Sequence, residues 1–175
     1  MIRILVAYDT KYGSTERVAH WVAEGIAECE PSEITVNVSN ISHVVDLNYD
    51  CVVIGSPIYE EEPLNSVITF LETRRTSLER LKVALFVVCV DYGYLPKDQL
   101  MDTYVGQLEA HVSGEVVARE VLGGYFDLAK LSDEDRRLLE DFSKAVGHPV
   151  TTMDLLDKDK SQAFGRAIMN LLLIG

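Results

Sequence analysis

The sequence predicts an α/β fold in which a mostly parallel sheet carries helices on both faces, and three observations predict it. Four β-branched runs, Ile2 to Ala7, Cys51 to Ile54, Val83 to Val90 and Val116 to Leu122, are almost continuously apolar, as strands covered on both faces are. Stripes of helical period separate them. The resulting order, β-α-β-β-α-β-α-β and then further helices, calls for crossover connections, which join parallel strands. The 175 residues suit one domain spanning 1–175, large enough to bury about 70% of its unfolded surface without disulfides or a structural metal.

Each element has its own warrant. After the first strand, Val18, Trp21, Val22, Gly25 and Ile26 form one apolar helix face. The run Ile34-Thr35-Val36-Asn37-Val38 alternates apolar with polar, which suits an edge strand with one wet face. Val67, Ile68 and Leu71 mark a second helix; Leu100, Tyr104, Leu108 and Val112 mark a third. Gly55 and Pro57 close the Cys51 run, leaving Ser56 to Glu62 as a loop. Gly123-Gly124 breaks the last strand. Ser132 followed by Asp133, Glu134 and Asp135 starts a helix with a side-chain cap and acids in its first turn, and Leu138, Leu139, Phe142 and Val146 share one face of it. That face is expected to pack into the core. Gly147-His148-Pro149 stops the helix, and Ser161 to Leu173 forms a final one with Phe164, Ile168, Leu171 and Leu172 inward.

Charge excludes some function classes. The net charge is −12, and between Glu28 and Glu62 eight acidic residues occur without a Lys or Arg. Phosphate backbones are repelled by such a surface, so nucleic acid is not the expected partner, and anionic lipid is disfavoured likewise. No apolar run reaches the length of a membrane span, and MIRILVAYDT lacks a small-residue cleavage site, so the expected location is the cytoplasm. Cys29, Cys51 and Cys89 have no metal-ligand spacing and read as reduced thiols. His20, His43, His111 and His148 are scattered and read as surface or structural, with no metal site and no catalytic side chain.

The most informative segment is Thr10-Lys11-Tyr12-Gly13-Ser14-Thr15, between the first strand and the first helix. Hydroxyls and a glycine at a helix start make either a capped βα turn or a cradle for phosphate, because the first helical N–H groups are unpaired and the dipole is positive there. Neither GxxxxGK[ST] nor GxGxxG is present. The segment resembles the phosphate-binding signature of flavodoxins. Val6, Tyr8, Thr10, Gly13, Thr15, Ala19 and Val22 match its positions in turn, and only Ala7 departs, where a second aliphatic residue is usual.

The resemblance implies a flavodoxin-like three-layer sandwich with strand order 2-1-3-4-5. It also implies non-covalent FMN at the switch point where the loops after strands one, three and four converge. Carried onto this chain, the binding residues are Thr10, Lys11, Tyr12, Gly13, Ser14 and Thr15 at the phosphate, and Pro57, Ile58, Tyr59, Val90, Asp91, Tyr92, Gly93 and Tyr94 around the ring. Glu60, Glu61, Glu62 and Asp91 would border that ring, lower its reduction potential and attract a basic redox partner protein. Without a Gly between Ser56 and Glu60, a peptide flip is costlier than in a typical carrier, and one-electron reduction correspondingly less favoured.

Gly123 to Leu131 with Asp135-Arg136 resembles the corresponding segment of flavodoxin-domain proteins related to quinone-dependent protoporphyrinogen oxidase. There the inserted segment is basic and membrane-facing, whereas here it is acidic. The implied function is therefore electron carriage between redox partners; the alternative is a flavoenzyme oxidising or reducing a small substrate in a pocket lined by Tyr92, Tyr94 and Tyr125. A flavin-free receiver domain would need an Asp ending strand three, where Gly55 stands.

Overall fold

The structure is a computed structural model and describes residues 1–29, 34–90 and 96–174. Five parallel strands, β1 (Ile2–Tyr8), β2 (Ile34–Asn40), β3 (Cys51–Tyr59), β4 (Lys82–Cys89) and β5 (Glu115–Gly123), pair in the order β2-β1-β3-β4-β5. This is the anticipated order. The chain steps from β1 to one side, then returns to β3 on the other, so the carboxyl ends of β1 and β3 diverge at a switch point where a ligand crevice opens.

Side chains of the central strands alternate between two cores. Leu5, Ala7, Val52, Ile54, Leu85 and Val87 face one side, where Val67 and Leu71 of α2 (Asn65–Thr73) meet them with Leu108. Ile4, Val6, Val53, Ala84 and Phe86 face the other. There they meet α1 (Ser14–Ala27) through Val18, Val22 and Ile26, and the C-terminal helix through Phe164 and Ile168. Each such side chain contributes about 1.5–3 kcal/mol when fully buried.

Four expectations need correction. Val116 to Leu122 is the second edge of the sheet, with only Val121 and Leu122 buried, because Arg119 and Glu120 occupy its middle and need solvent. β3 does not stop at Gly55 but runs to Tyr59, then turns back to pair Tyr59 with Glu62 and Ile58 with Pro63. The third helix is interrupted: a π turn over Met101–Val105 separates Lys97–Leu100 from Gly106–Glu109, shifting the phase so that Val105 joins Leu100 and Leu108 inside while Tyr104 is only half-buried. In the final helix Met169 is buried and Leu171 is not, being 45% exposed.

Two further helices follow β5. α3 (Asp133–Val146) begins as expected, with the Ser132 hydroxyl accepting from the Asp135 N–H at 3.1 Å, and ends at Gly147 with φ 75°. α4 (Lys158–Ile174) closes the fold. Tyr125–Phe126, before α3, pairs antiparallel with Met153–Asp154, between the two helices. α3 has no buried residue, so its apolar stripe is not in the core.

Candidate functional site

The loop after β1 is built by its own polar groups. The Thr10 hydroxyl accepts from the Gly13 N–H at 2.9 Å, and the Thr10 N–H donates to the Asp9 carboxylate at 2.8 Å. Asp9 is held in turn by Asn40 at 3.0 Å and by the Ser66 hydroxyl at 2.5 Å. Gly13 stands at φ 94°, a left-handed conformation that lets the chain enter α1 abruptly. No side chain caps α1. Its first N–H groups are therefore left for another acceptor.

Thr15 supplies the decisive anomaly. It is fully buried, and its Oγ1 has no hydrogen-bond partner among the described residues. An unsatisfied buried hydroxyl costs about 1–3 kcal/mol, so one that persists needs an explanation. Thr15 stands in the first turn of the uncapped helix and lines a cleft of about 770 Å³, well within the size range of ligand sites.

Thr10, Ser14, Thr15, Pro57, Ile58, Tyr59 and Val90 all line this cleft. Gly13 and Tyr12 border a smaller hollow of about 160 Å³ beside it, shared with Ser14. Asp91, Tyr92, Gly93 and Tyr94 lie outside the described residues. Ser14 is engaged by the segment after β5, donating to the Tyr125 carbonyl at 2.7 Å and accepting from its N–H at 3.3 Å.

Lys11 is turned elsewhere. Its Nζ is 2.7 Å from Asp135 of α3, and 5.1 Å from the centre of the Tyr59 ring. The Tyr12 hydroxyl donates to the same carboxylate and accepts from the Ser132 N–H at 3.1 Å. Burial pulls the Asp135 carboxyl up, but hydrogen bonds from Lys11, Tyr12 and Ser132 outweigh it and hold the group below its ordinary value. Burial, with the nearby Tyr12 and Asp135, pushes the Tyr59 phenol well above its ordinary value, so this ring stays neutral. The Tyr12 and Tyr59 rings are 6.2 Å apart and tilted by 58°, within the range of favourable aromatic contact.

The rim turns sharply after Tyr59. Glu60 and Glu61 have φ of 51° and 65°, the geometry of a two-residue hairpin turn normally given to Gly or Asn. Gln107 supports the turn, donating to the Glu61 carbonyl at 2.8 Å. Both glutamates are exposed and line the cleft.

A family model described as a flavodoxin domain matches residues 5–151. The chain belongs to the flavodoxin domain family. A flavodoxin of Clostridium beijerinckii is 32% identical over 83 residues, which are 46% of this chain and 60% of that protein. The chain thus spans about 60% of the length of this curated relative. Among solved structures, a flavodoxin from the domain Archaea aligns with a TM-score of 0.58 at 17% identity over 97% of both chains. A WrbA-like flavodoxin protein from Agrobacterium tumefaciens aligns with a TM-score of 0.58 at 15% identity over 99% of both. Both likenesses show the fold.

FMN is the cofactor of this family. The residues present fit it: a buried orphan hydroxyl beside free helical N–H groups suits a phosphate, and the apolar cleft with Tyr59 suits a flat ring system. Among the described residues no helix is long and apolar enough to cross a membrane, and no cluster of metal-ligating side chains occurs.

Sequence reasoning missed the far wall. Asp135, Leu138, Leu139, Phe142 and Val146 of α3 line the same cleft. The signal was present: an otherwise acidic helix with one narrow apolar stripe has little to give a protein core.

Proposed function

We propose that this chain is a cytoplasmic FMN-dependent electron-transfer protein that exchanges electrons with a redox partner protein. The observation that carries the reading is the buried, unpartnered Thr15 hydroxyl at the uncapped start of α1, opening into a cleft of about 770 Å³. Bound FMN would supply reversible redox chemistry; the chain's share is binding, orientation and electrostatics. Thr10, Gly13, Ser14 and Thr15, with the N–H groups that open α1, hold the phosphate. Lys11 and Tyr12 brace that loop. Pro57, Ile58, Tyr59 and Val90 enclose the ring. Glu60, Glu61 and Glu62 place negative charge at the rim, which disfavours added electrons and draws a basic partner, an attraction that salt weakens.

The test is uptake of FMN by the flavin-free protein, followed through the visible spectrum and quenching of flavin fluorescence. A protein that stays colourless with FMN in excess overturns the reading. In the flavin-bound protein, replacing Glu60, Glu61 and Glu62 by Gln raises the measured reduction potential; an unchanged potential removes their tuning role.

One observation favours a second reading, oxidation or reduction of a small substrate: α3 presents Leu138, Leu139 and Phe142 to the cleft, where an open carrier site would need no such wall. Reoxidation of the reduced protein by a small quinone, as fast as by a protein acceptor, would favour it.

A further inference from the structure

α3 is a well-terminated helix whose apolar stripe lines the cleft. Fourteen residues form it, Ser132 caps its start, Gly147 ends it, and none of its residues is buried. A helix of this length is marginal alone and needs an apolar partner for its stripe. The stripe instead faces the cleft, with Leu138 39% and Phe142 40% exposed. Polar contacts fasten its first turn. Asp135 takes the Lys11 ammonium at 2.7 Å and the Tyr12 hydroxyl, and Arg136 donates to the Leu128 carbonyl at 3.0 Å. Lys11 and Tyr12 belong to the loop whose Thr10, Gly13 and Thr15 form the cradle at α1. One loop therefore grips both the proposed phosphate position and the helix across the cleft.

We propose that α3 is the cover of the flavin site and that Asp135 is its positioning residue, clasping Lys11 and Tyr12 so that Leu138, Leu139 and Phe142 close over the apolar part of the bound cofactor. This rests on the FMN reading above. The occupant follows from the two ends of the cleft, a hydroxyl and free N–H groups at one and an apolar helix face at the other. A single ligand carrying a phosphate and a flat apolar ring satisfies both. The cover slows release of the cofactor and shields it from solvent.

The experiment measures FMN dissociation from the loaded full-length chain, together with quenching of flavin emission by iodide. Asp135→Asn should release FMN about 10-fold faster, equivalent to a single factor of ten in affinity, and should expose it to iodide; Asp135→Glu, which keeps the charge, should recover most of the wild-type behaviour. Leu138→Ser combined with Phe142→Ser leaves the clasp intact and should also speed release by about 10-fold or more. Wild-type protein that takes up no FMN fails the functional reading itself. Wild-type protein that binds FMN while these variants match it in release rate and iodide quenching overturns the cover alone.

Discussion

The two helices after β5 are built of similar material and used in opposite ways. α4 buries Ser161, Phe164, Gly165, Ile168 and Met169, and α3 buries nothing. α4 lies so close to α1 that a Cβ on Gly165 would sit 2.2 Å from the Val22 carbonyl oxygen, and one on Gly25 would sit 2.1 Å from that of Gln162. Its ion pairs, Lys158 with Glu24 at 2.9 Å and Arg166 with Glu28 at 2.7 Å, are exposed ornaments on an apolar contact, each worth under about 1 kcal/mol. In α3 the proportions are reversed: polar contacts to Lys11 and Tyr12 set the position, and the apolar stripe is held open to the cleft. An amphipathic stripe thus announces that something apolar lies opposite without saying whether that is protein or ligand.

The largest expected effect is on the α4 side. Gly165→Val drives a side chain into the α1 backbone and should cost about 3 kcal/mol, the upper end for overpacking, read as a lowered denaturation midpoint in Trp21 fluorescence. The paired change Leu138→Ser on α3 should shift the flavin-free midpoint by under about 0.5 kcal/mol, as a surface substitution does. Equal losses at the two helices would erase the contrast and mean that α3 belongs to the core.

Thr15 sharpens the same distinction within the site. Thr15→Val keeps the shape and deletes the orphan hydroxyl, so the flavin-free protein should gain about 1 kcal/mol, the low end of the cost of a buried unsatisfied group. FMN affinity should fall about 10-fold, since no hydroxyl remains to donate to the phosphate. Stability and affinity moving in opposite directions is the signature of a residue kept for a ligand. A Thr15→Val protein that loses stability would mean the hydroxyl is satisfied internally. At Gly13 a Cβ would meet no protein atom within 4 Å, and any side chain there carries the strain of φ 94°.

An effect of similar size on stability, without one on affinity, is expected at the rim. Glu61→Gly relieves a left-handed glutamate at φ 65° and should stabilise the chain by about 1 kcal/mol, measured by thermal melting; a loss would show that Gln107 and the hairpin already absorb the strain.

Much of this was legible in the residues. The central strands, the wet edge at Ile34 to Val38, the α1 stripe and the loop from Thr10 to Thr15 follow from period and from helix-start chemistry. The extension of β3 was hidden because Gly55 and Pro57 read as breakers. Gly55 is there because the Phe86 ring leaves no room, a Cβ being 2.1 Å from it. Pro57 is tolerated because β1 ends opposite Gly55, so at Pro57 itself β3 pairs only with Val88 of β4 and its other edge needs no N–H. The role of α3 was hidden for a different reason: its partners, Lys11 and Tyr12, are more than a hundred residues away, and no local pattern encodes so distant a contact.

Acidity offers the finest probe of the two helices. The Asp135 carboxyl is held below its ordinary value of 3.8 despite partial burial, because Lys11, Tyr12 and Ser132 favour its charged form. A carboxyl with a lowered folded value stabilises the docked helix fully above the ordinary value, and that contribution disappears as the pH falls through the lower one. Amide exchange in α3, measured against α4 in the same sample, should therefore keep a constant ratio from neutrality down to about pH 4 and rise only below it. In Asp135→Asn the ratio should be raised at every pH and flat throughout. Loosening of wild-type α3 already between pH 5 and 6 would assign the clasp to some group other than this carboxylate, and the contrast with α4 would then rest on the apolar stripe alone.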